Sequence, residues 1–243
     1  VKTNKVRLRI LASRVCPTVS NLGIYKAPEM LSNPTIIRDK GGTVTISCKT
    51  PDPEIHYTLD GSKPNMKSPR YKEPFELSRG GTIKAVAFVN NGTKSSEVVE
   101  AQFDISAAKW KVISTSAAQK GYEGSKAIDG NPNSMLHTPW GDNAPEHPHS
   151  IEIDLGETLT LKGFSYLPRT DGRSGGICKT YRLEISQEGS NWQVAKEGSF
   201  GNIKNNPVLQ RVYFGKQMEA RYIRFTSLSN VNGDASLSAA ELG

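Results

Sequence analysis

Residues 150–186 read SIEIDLGETLTLKGFSYLPRTDGRSGGICKTYRLEIS. In SIEIDLG (150–156) the apolar Ile151, Ile153 and Leu155 alternate with polar residues, as a strand with one buried face requires. LTLKGFSYLPR (159–169) and TYRLEIS (180–186) are rich in the β-branched and aromatic residues that suit a pleated, half-buried surface. Gly, Arg and Ser crowd residues 170–179 between them, which reads as a long loop. From Trp110 onward no helical period persists for two full turns, so the chain around this stretch is expected to be all-β.

The same signals extend in both directions. WQVAKEG (192–198), QRVYFG (210–215) and RYIRFTSL (221–228) continue the series downstream. Upstream, TVTISCKT (43–50), EIHYTLDG (54–61), GTIKAVAFV (81–89) and EVVEAQFDI (97–105) are separated by PDP, DGSKP, GG and NNG, the composition of tight turns, and predict a smaller antiparallel sandwich. KAPEMLSNP (26–34) has linker chemistry. KVRLRI (5–10) alternates basic and apolar residues as an antiparallel strand would, and residues 1–25 read as the last strands of a preceding β-sandwich. Three units follow: 1–27, 28–104 and 105–243. Binding residues are expected in the long Gly-, Asn- and Pro-rich loops 130–149 and 170–179.

Two hundred and forty-three residues suffice for two ordinary cores. No apolar run is long enough for a membrane span. VKTNKVRLRI lacks the apolar core of a secretion signal, so the chain reads as beginning inside a longer protein. The net charge of +7 invites a nucleic-acid reading, but residues 1–27 hold six basic and no acidic side chains while the remainder is close to balanced, so neither sandwich offers a face for phosphates and no nucleic-acid partner is expected. Cys16, Cys48 and Cys178 lack metal-ligand spacing and read as small buried hydrophobes.

GGTVTISCKTPDPEIHYTLDGSKPN (41–65), SPRYKEPFELSRGGTIKAVAF (68–88) and SSEVVEAQF (95–103) resemble the immunoglobulin-like module at the C-terminus of chitobiases and related β-hexosaminidases, with Asp60-Gly61 expected to close a tight hairpin. Residues 105–243 resemble the coagulation-factor type C, or discoidin, fold in its carbohydrate-binding form, the family 32 carbohydrate-binding modules. AIDGNPNS (127–134), HTPW (137–140), PHSIEIDLG (148–156), GFSYLPRTDG (163–172), YRLEIS (181–186), GSNW (189–192), ARYIRF (220–225) and SAAEL (238–242) carry that likeness, and it implies a jelly-roll β-sandwich. NKVRLRILASRVCPTVSNLGIY (4–25) is similar to the closing strands of family 29 α-L-fucosidases, which implies a secreted, periplasmic or cell-surface bacterial parent whose catalytic domain lies upstream of Val1.

A pyranose presents an apolar C–H face and a rim of hydroxyls, so a modest site needs an aromatic platform and a few fixed polar groups. The resemblance gives these roles to Trp140, His137 and Arg169, facing a terminal galactose-type sugar (galactose, N-acetylgalactosamine or fucose). Asp171 reads first as a loop-capping residue in TDG, with a second possible role in holding the guanidinium or a sugar hydroxyl. Galactose-binding relatives often carry Asn shortly after the Arg and an aromatic before SAAE; here these places hold Gly175-Gly176 and Ser236-Leu237. The resemblance also implies a structural Ca²⁺ held by Asp129, Asn131, Ser134, the carbonyl of Ala240 and Glu241, hard oxygen donors that suit the ion. His147 and His149 lie close in sequence but read as structural. The chain shows no catalytic constellation: GDNAPE (141–146) offers Asp142 and Glu146 without an identifiable partner. A non-catalytic sugar-binding appendage is the leading expectation, and a purely structural spacer with a vestigial pocket is its rival.

Overall fold

The computed structural model describes residues 5–12, 16–24, 31–141 and 144–243, and the alternation noted above becomes two β-sandwiches. In the first, β1 (Thr35–Arg38), β2 (Thr43–Ser47) and β4 (Phe75–Glu76) form one antiparallel sheet. The facing sheet is made of β3 (Glu54–Thr58), β5 (Gly81–Val89), β6 (Lys94–Ser95) and β7 (Val99–Phe103). Val44 and Ile46 meet Ile55, Ile83 and Ala85 in the core, and Tyr57 stacks on Phe75 at 4.9 Å. Asp60-Gly61 does not close a two-residue hairpin. It opens a longer loop, and the chain returns beside β3 only at residues 69–71, through Tyr57 N to Pro69 O and Tyr71 N to Ile55 O. Pro64, inside that excursion, lacks the N–H group a tight return would use.

The second sandwich is built from β8 (Lys111–Thr115), β9 (Leu136–His137), β10 (His149–Leu167), β11 (Cys178–Ser186), β12 (Gln193–Ser199), β13 (Gln210–Asn230), β14 (Ser238–Ala239) and β15 (Glu241–Leu242). Its main sheet runs β12-β11-β13-β10-β15, with β8 also on β10, while β9 pairs with β14. It is the all-β, jelly-roll type of sandwich that the sequence implied. The strings 150–156 and 159–169, read separately above, are one strand, because Gly156 takes φ +82° and donates its N–H to Asp154 Oδ1, forming a bulge that lets the strand continue. A second register break at Leu161/Gly163 brings the backbones so close that a Cβ on Gly163 would stand 2.0 Å from Val212 O. These breaks bend β10 and β13 together around a core of Ile151, Ile153, Leu183, Ile223 and Phe225, each side chain contributing about 1.5–3 kcal/mol by burial. Tyr166, fully buried, stacks between Phe200 and Phe225.

Residues 5–12 and 16–24 form no strand, and Val6, Leu8 and Ile10 are exposed. The alternation is present, but a ladder exists only where another strand supplies donors and acceptors, and among the described residues this segment joins no ladder. Most of the linker string 26–34, and Asp142, lie outside the described residues. Ser32 and Asn33 are already tied to the first sandwich through Ser32 N to Thr50 Oγ1 and Glu97 N to Asn33 Oδ1. The expectation for the cysteines is corrected: Cys178 is buried and its thiol is pushed up to about 12 by desolvation, but Cys48 is half-buried and Cys16 is exposed in a segment with no sheet to cover it. No helix among the described residues is long and apolar enough to cross a membrane, which says nothing of strands.

Candidate functional site

Three loops meet at one end of the second sandwich: the one after β9, the one between β10 and β11, and the one between β13 and β14. Thr138 N donates to Leu237 O (2.9 Å) and Leu237 N to Thr138 Oγ1 (2.8 Å), which fixes the first loop to the third. Ser238 N donates to Gly176 O (2.7 Å) and Ser238 Oγ to Gly175 O (3.0 Å), which fixes the third to the second. Beneath them the buried phenol of Tyr166 donates to Ser238 O (2.8 Å) and accepts from Cys178 N (3.0 Å). The rim is therefore held by paired backbone groups rather than by side-chain packing alone.

The loops enclose an open cleft of about 420 Å³ whose walls include His137, Trp140 and Arg169, so the three residues expected to converge do so. Trp140 is 56% exposed and stands edge-to-face with His137, ring centroids 5.1 Å apart. His137 is 5% exposed, and its Nδ1 lies 2.6 Å from Thr138 O. A carbonyl can only accept, so Nδ1 carries the proton and Nε2 of the neutral ring is an acceptor. Burial, with Arg169 nearby, holds this imidazole below the usual histidine range and keeps it neutral. Arg169 donates through Nε and Nη2 to both Asp171 oxygens, each at 2.7 Å, and through Nη1 to Gly175 O at 2.9 Å. Three of its five N–H groups are thus committed and two remain. Asp171 also accepts from Arg173 N, so it both caps the loop and clamps the guanidinium; that clamp pulls its carboxyl down to about 2.

The departures noted in the sequence have visible consequences. Gly175 contributes a carbonyl to Arg169, and Leu237 is buried below the rim. Ser236, on the wall, donates its N–H and hydroxyl to Asp234. Tyr122 also lines the cleft, 5.7 Å from Trp140 and 6.2 Å from His137 between centroids. No sequence pattern pointed to it, since it lies 15 residues before His137 in a string without periodicity.

The residues expected to hold calcium lie outside this cleft. Asp129 accepts from Asn131 N (2.9 Å) and from Ser134 Oγ (2.7 Å), forming a tight Asx turn. Burial first, and then the neighbouring Asp129 carboxylate, pushes Glu241 up to about 7, and its Oε1 is buried without a hydrogen-bond partner. Two facing carboxylates and an orphaned buried oxygen are what a hard cation would satisfy, so these residues fit Ca²⁺. Thr170 Oγ1 donates to Pro132 O (2.7 Å), joining this turn to the Arg169 loop. His147 and His149 instead face backbone carbonyls, His147 Nδ1 at Ser227 O (3.2 Å) and His149 Nε2 at Ala235 O (2.6 Å), and serve as loop anchors.

The description F5/8 type C domain matches residues 111–242, and Fn3 associated matches residues 44–103. Galactose oxidase of Gibberella zeae is 34% identical over 148 residues, 57% of this chain and 20% of that protein, so the chain spans about a fifth of the length of this relative. Among solved structures, CBM32-3 from a family 31 glycoside hydrolase of Clostridium perfringens superposes with a TM-score of 0.52 at 26% identity, covering 56% of this chain and 90% of that one. The C-terminal domain of a chitobiase from Bacteroides fragilis gives 0.50 at 26% identity, covering 57% and 93%. With more than half of its 243 residues matched, the chain belongs to the F5/8 type C domain family.

Proposed function

We propose that the second sandwich is a non-catalytic carbohydrate-binding module that takes a terminal galactose-type sugar, galactose, N-acetylgalactosamine or fucose, in the cleft of His137, Trp140 and Arg169. The observation that carries this reading is the convergence of an exposed indole, a neutral imidazole acceptor and a guanidinium with free donors on one cleft. The indole packs against the sugar's C–H face, while Arg169 donates to a hydroxyl and His137 Nε2 accepts from one. Asp171 serves as a positioning residue for Arg169. A solitary site of this kind binds at about 0.1–1 mM, roughly 4–5.5 kcal/mol, and acts by raising local concentration.

In the same reading residues 28–104 and 105–243 are separate modules of a secreted glycoside hydrolase, an α-L-fucosidase, and 1–27 belong to its preceding domain. Asp129, Asn131, Ser134, the Ala240 carbonyl and Glu241 would hold Ca²⁺. When bound, the ion supplies positive charge that offsets the Asp129 and Glu241 carboxylates. The spacer alternative draws support from the polar contacts between the sandwiches, Ser165 Oγ to Asp104 Oδ2 and Arg211 Nε to Asp104 Oδ1. Calorimetric titration of the chain with the methyl glycosides of galactose, N-acetylgalactosamine and fucose separates the two. Saturable heat that disappears in Trp140→Ala supports the lectin role, and silence toward all three leaves the spacer role.

A further inference from the structure

The wall formed by residues 234–237 carries no aromatic ring: Leu237 is buried, and the N–H and hydroxyl of Ser236 are bound to Asp234. The same cleft is lined by Tyr122, which closes a turn, Gln119–Tyr122, whose two ends pair with the backbone of His137. Gln119 N donates to His137 O (2.8 Å), His137 N to Tyr122 O (3.1 Å), and Tyr122 N closes the turn onto Gln119 O (2.8 Å). Tyr122 as a residue is 37% exposed, so the fold holds it at the surface without burying it. Its plane is inclined 84° to Trp140 and 74° to His137, and those two are inclined 86° to each other. Three rings that are perpendicular in pairs make a corner, and Arg169 lines the same cleft.

We propose that Tyr122 is a sugar-contacting residue, a second aromatic wall that takes the place of the ring absent at Ser236-Leu237. This rests on the lectin reading of the cleft and goes beyond it. A pyranose lying on the indole has its rim facing outward, and a perpendicular ring beside the platform gives C–H groups or an N-acetyl methyl on that rim an aromatic surface. Because the Tyr122 backbone is fixed by the pairing with His137, little ordering is needed on binding. The corner shape also suits the terminal residue of a glycan, enclosed from two sides.

The test is calorimetric titration of the full chain with methyl β-galactoside and methyl N-acetyl-β-galactosaminide, for wild type, Trp140→Ala, Tyr122→Ala and Tyr122→Phe, with thermal unfolding of each. Tyr122→Ala is expected to bind about three- to tenfold more weakly, and Tyr122→Phe to stay within about twofold of wild type, because the ring face makes the contact. Both should unfold within about one degree of wild type, since the side chain is partly exposed. If Tyr122→Ala titrates like wild type while Trp140→Ala loses binding, Tyr122 is a bystander and the lectin reading stands without it. A loss of affinity in Tyr122→Ala accompanied by a drop of several degrees in the unfolding midpoint makes the role structural and overturns the proposal. A wild-type chain silent toward both glycosides removes the lectin reading and this inference together.

Discussion

Asp104, just beyond the last strand of the first sandwich, accepts the hydroxyl of Ser165 on β10 of the second at 2.7 Å. The same carboxylate pairs with Arg211 Nε at 3.3 Å, and the Asp104 carbonyl accepts from Arg38 Nη1 at 2.6 Å. One residue thereby ties two strands of the second sandwich to β1 of the first. Asp104→Ala removes the acceptor for both Ser165 and Arg211 and is expected to cost about 1–3 kcal/mol in urea unfolding. It should also convert a single transition into two partly resolved ones as the sandwiches uncouple. An unchanged, single transition would show that the junction adds nothing to stability.

Asp171 touches Arg169 through two parallel hydrogen bonds, so its effect on sugar binding runs through guanidinium orientation. Asp171→Asn keeps the size but replaces one acceptor oxygen with a donor facing Arg169. Sugar affinity is expected to fall about three- to tenfold, with the unfolding midpoint little changed because Asp171 is partly exposed. Affinity equal to wild type, measured by titration with methyl β-galactoside, would mean that Gly175 O alone orients the guanidinium.

The pH dependence follows from His137, whose folded-state value lies below the ordinary 6.5. Above 6.5 the ring is neutral both folded and unfolded, so it contributes no pH dependence. As pH falls through 6.5 the unfolded chain takes up the proton first, and stability declines until the folded value is reached; His147, also lowered by burial, adds in the same direction. Sugar affinity should be flat from pH 8 to about 6.5 and fall only at lower pH, when Nε2 becomes a donor. Titrations at four pH values check this, and a rise in affinity on acidification would contradict the assignment of Nε2 as acceptor.

Calcium should raise the unfolding midpoint of the wild-type chain by several degrees at millimolar concentration and have no effect on Asp129→Ala or Glu241→Gln. Thr170 Oγ1 bridges the Asp129 turn to the loop of Arg169, so removing the ion with a chelator is also expected to weaken sugar binding. In Thr170→Val that second effect should vanish while the thermal shift persists. A wild-type midpoint indifferent to chelator would remove the metal.

The features that could be read from the sequence are those set by near neighbours. The alternation of Ile151, Ile153 and Leu155 announced a strand, and Arg169 with Asp171 two residues later formed a pair within one loop. The features that could not be read depend on distant partners. β9, β14 and β15 are two residues each and exist only because Leu136 pairs with Ala239, and Leu167 with Glu241, far apart in sequence. The strings 150–156 and 159–169 read as separate strands because an isolated glycine does not reveal whether its neighbours continue in register. Tyr122 reaches the cleft through backbone pairing with His137, which no local pattern encodes. KVRLRI has the period of a strand but forms none among the described residues, so its periodicity alone yields no sheet.

The buried phenol of Tyr166 lies under the cleft. Tyr166 Oη donates to Ser238 O and accepts from Cys178 N, joining β10, β11 and β14 through one oxygen, and burial pushes its own ionisation well above the usual phenol range. Tyr166→Phe leaves the stacking on Phe200 and Phe225 intact but strands a buried carbonyl and a buried amide. Each unsatisfied group costs about 1–3 kcal/mol, so a loss of about 2–4 kcal/mol in unfolding free energy is expected. Ser238 also bonds Gly175 and Gly176, so the loop carrying Arg169 should loosen, and sugar affinity should fall although Tyr166 never touches the ligand. Amide hydrogen exchange at Gly176–Cys178 and Ser238 would rise in the variant. Exchange and affinity unchanged alongside a stability loss would confine Tyr166 to the core and detach it from the site above.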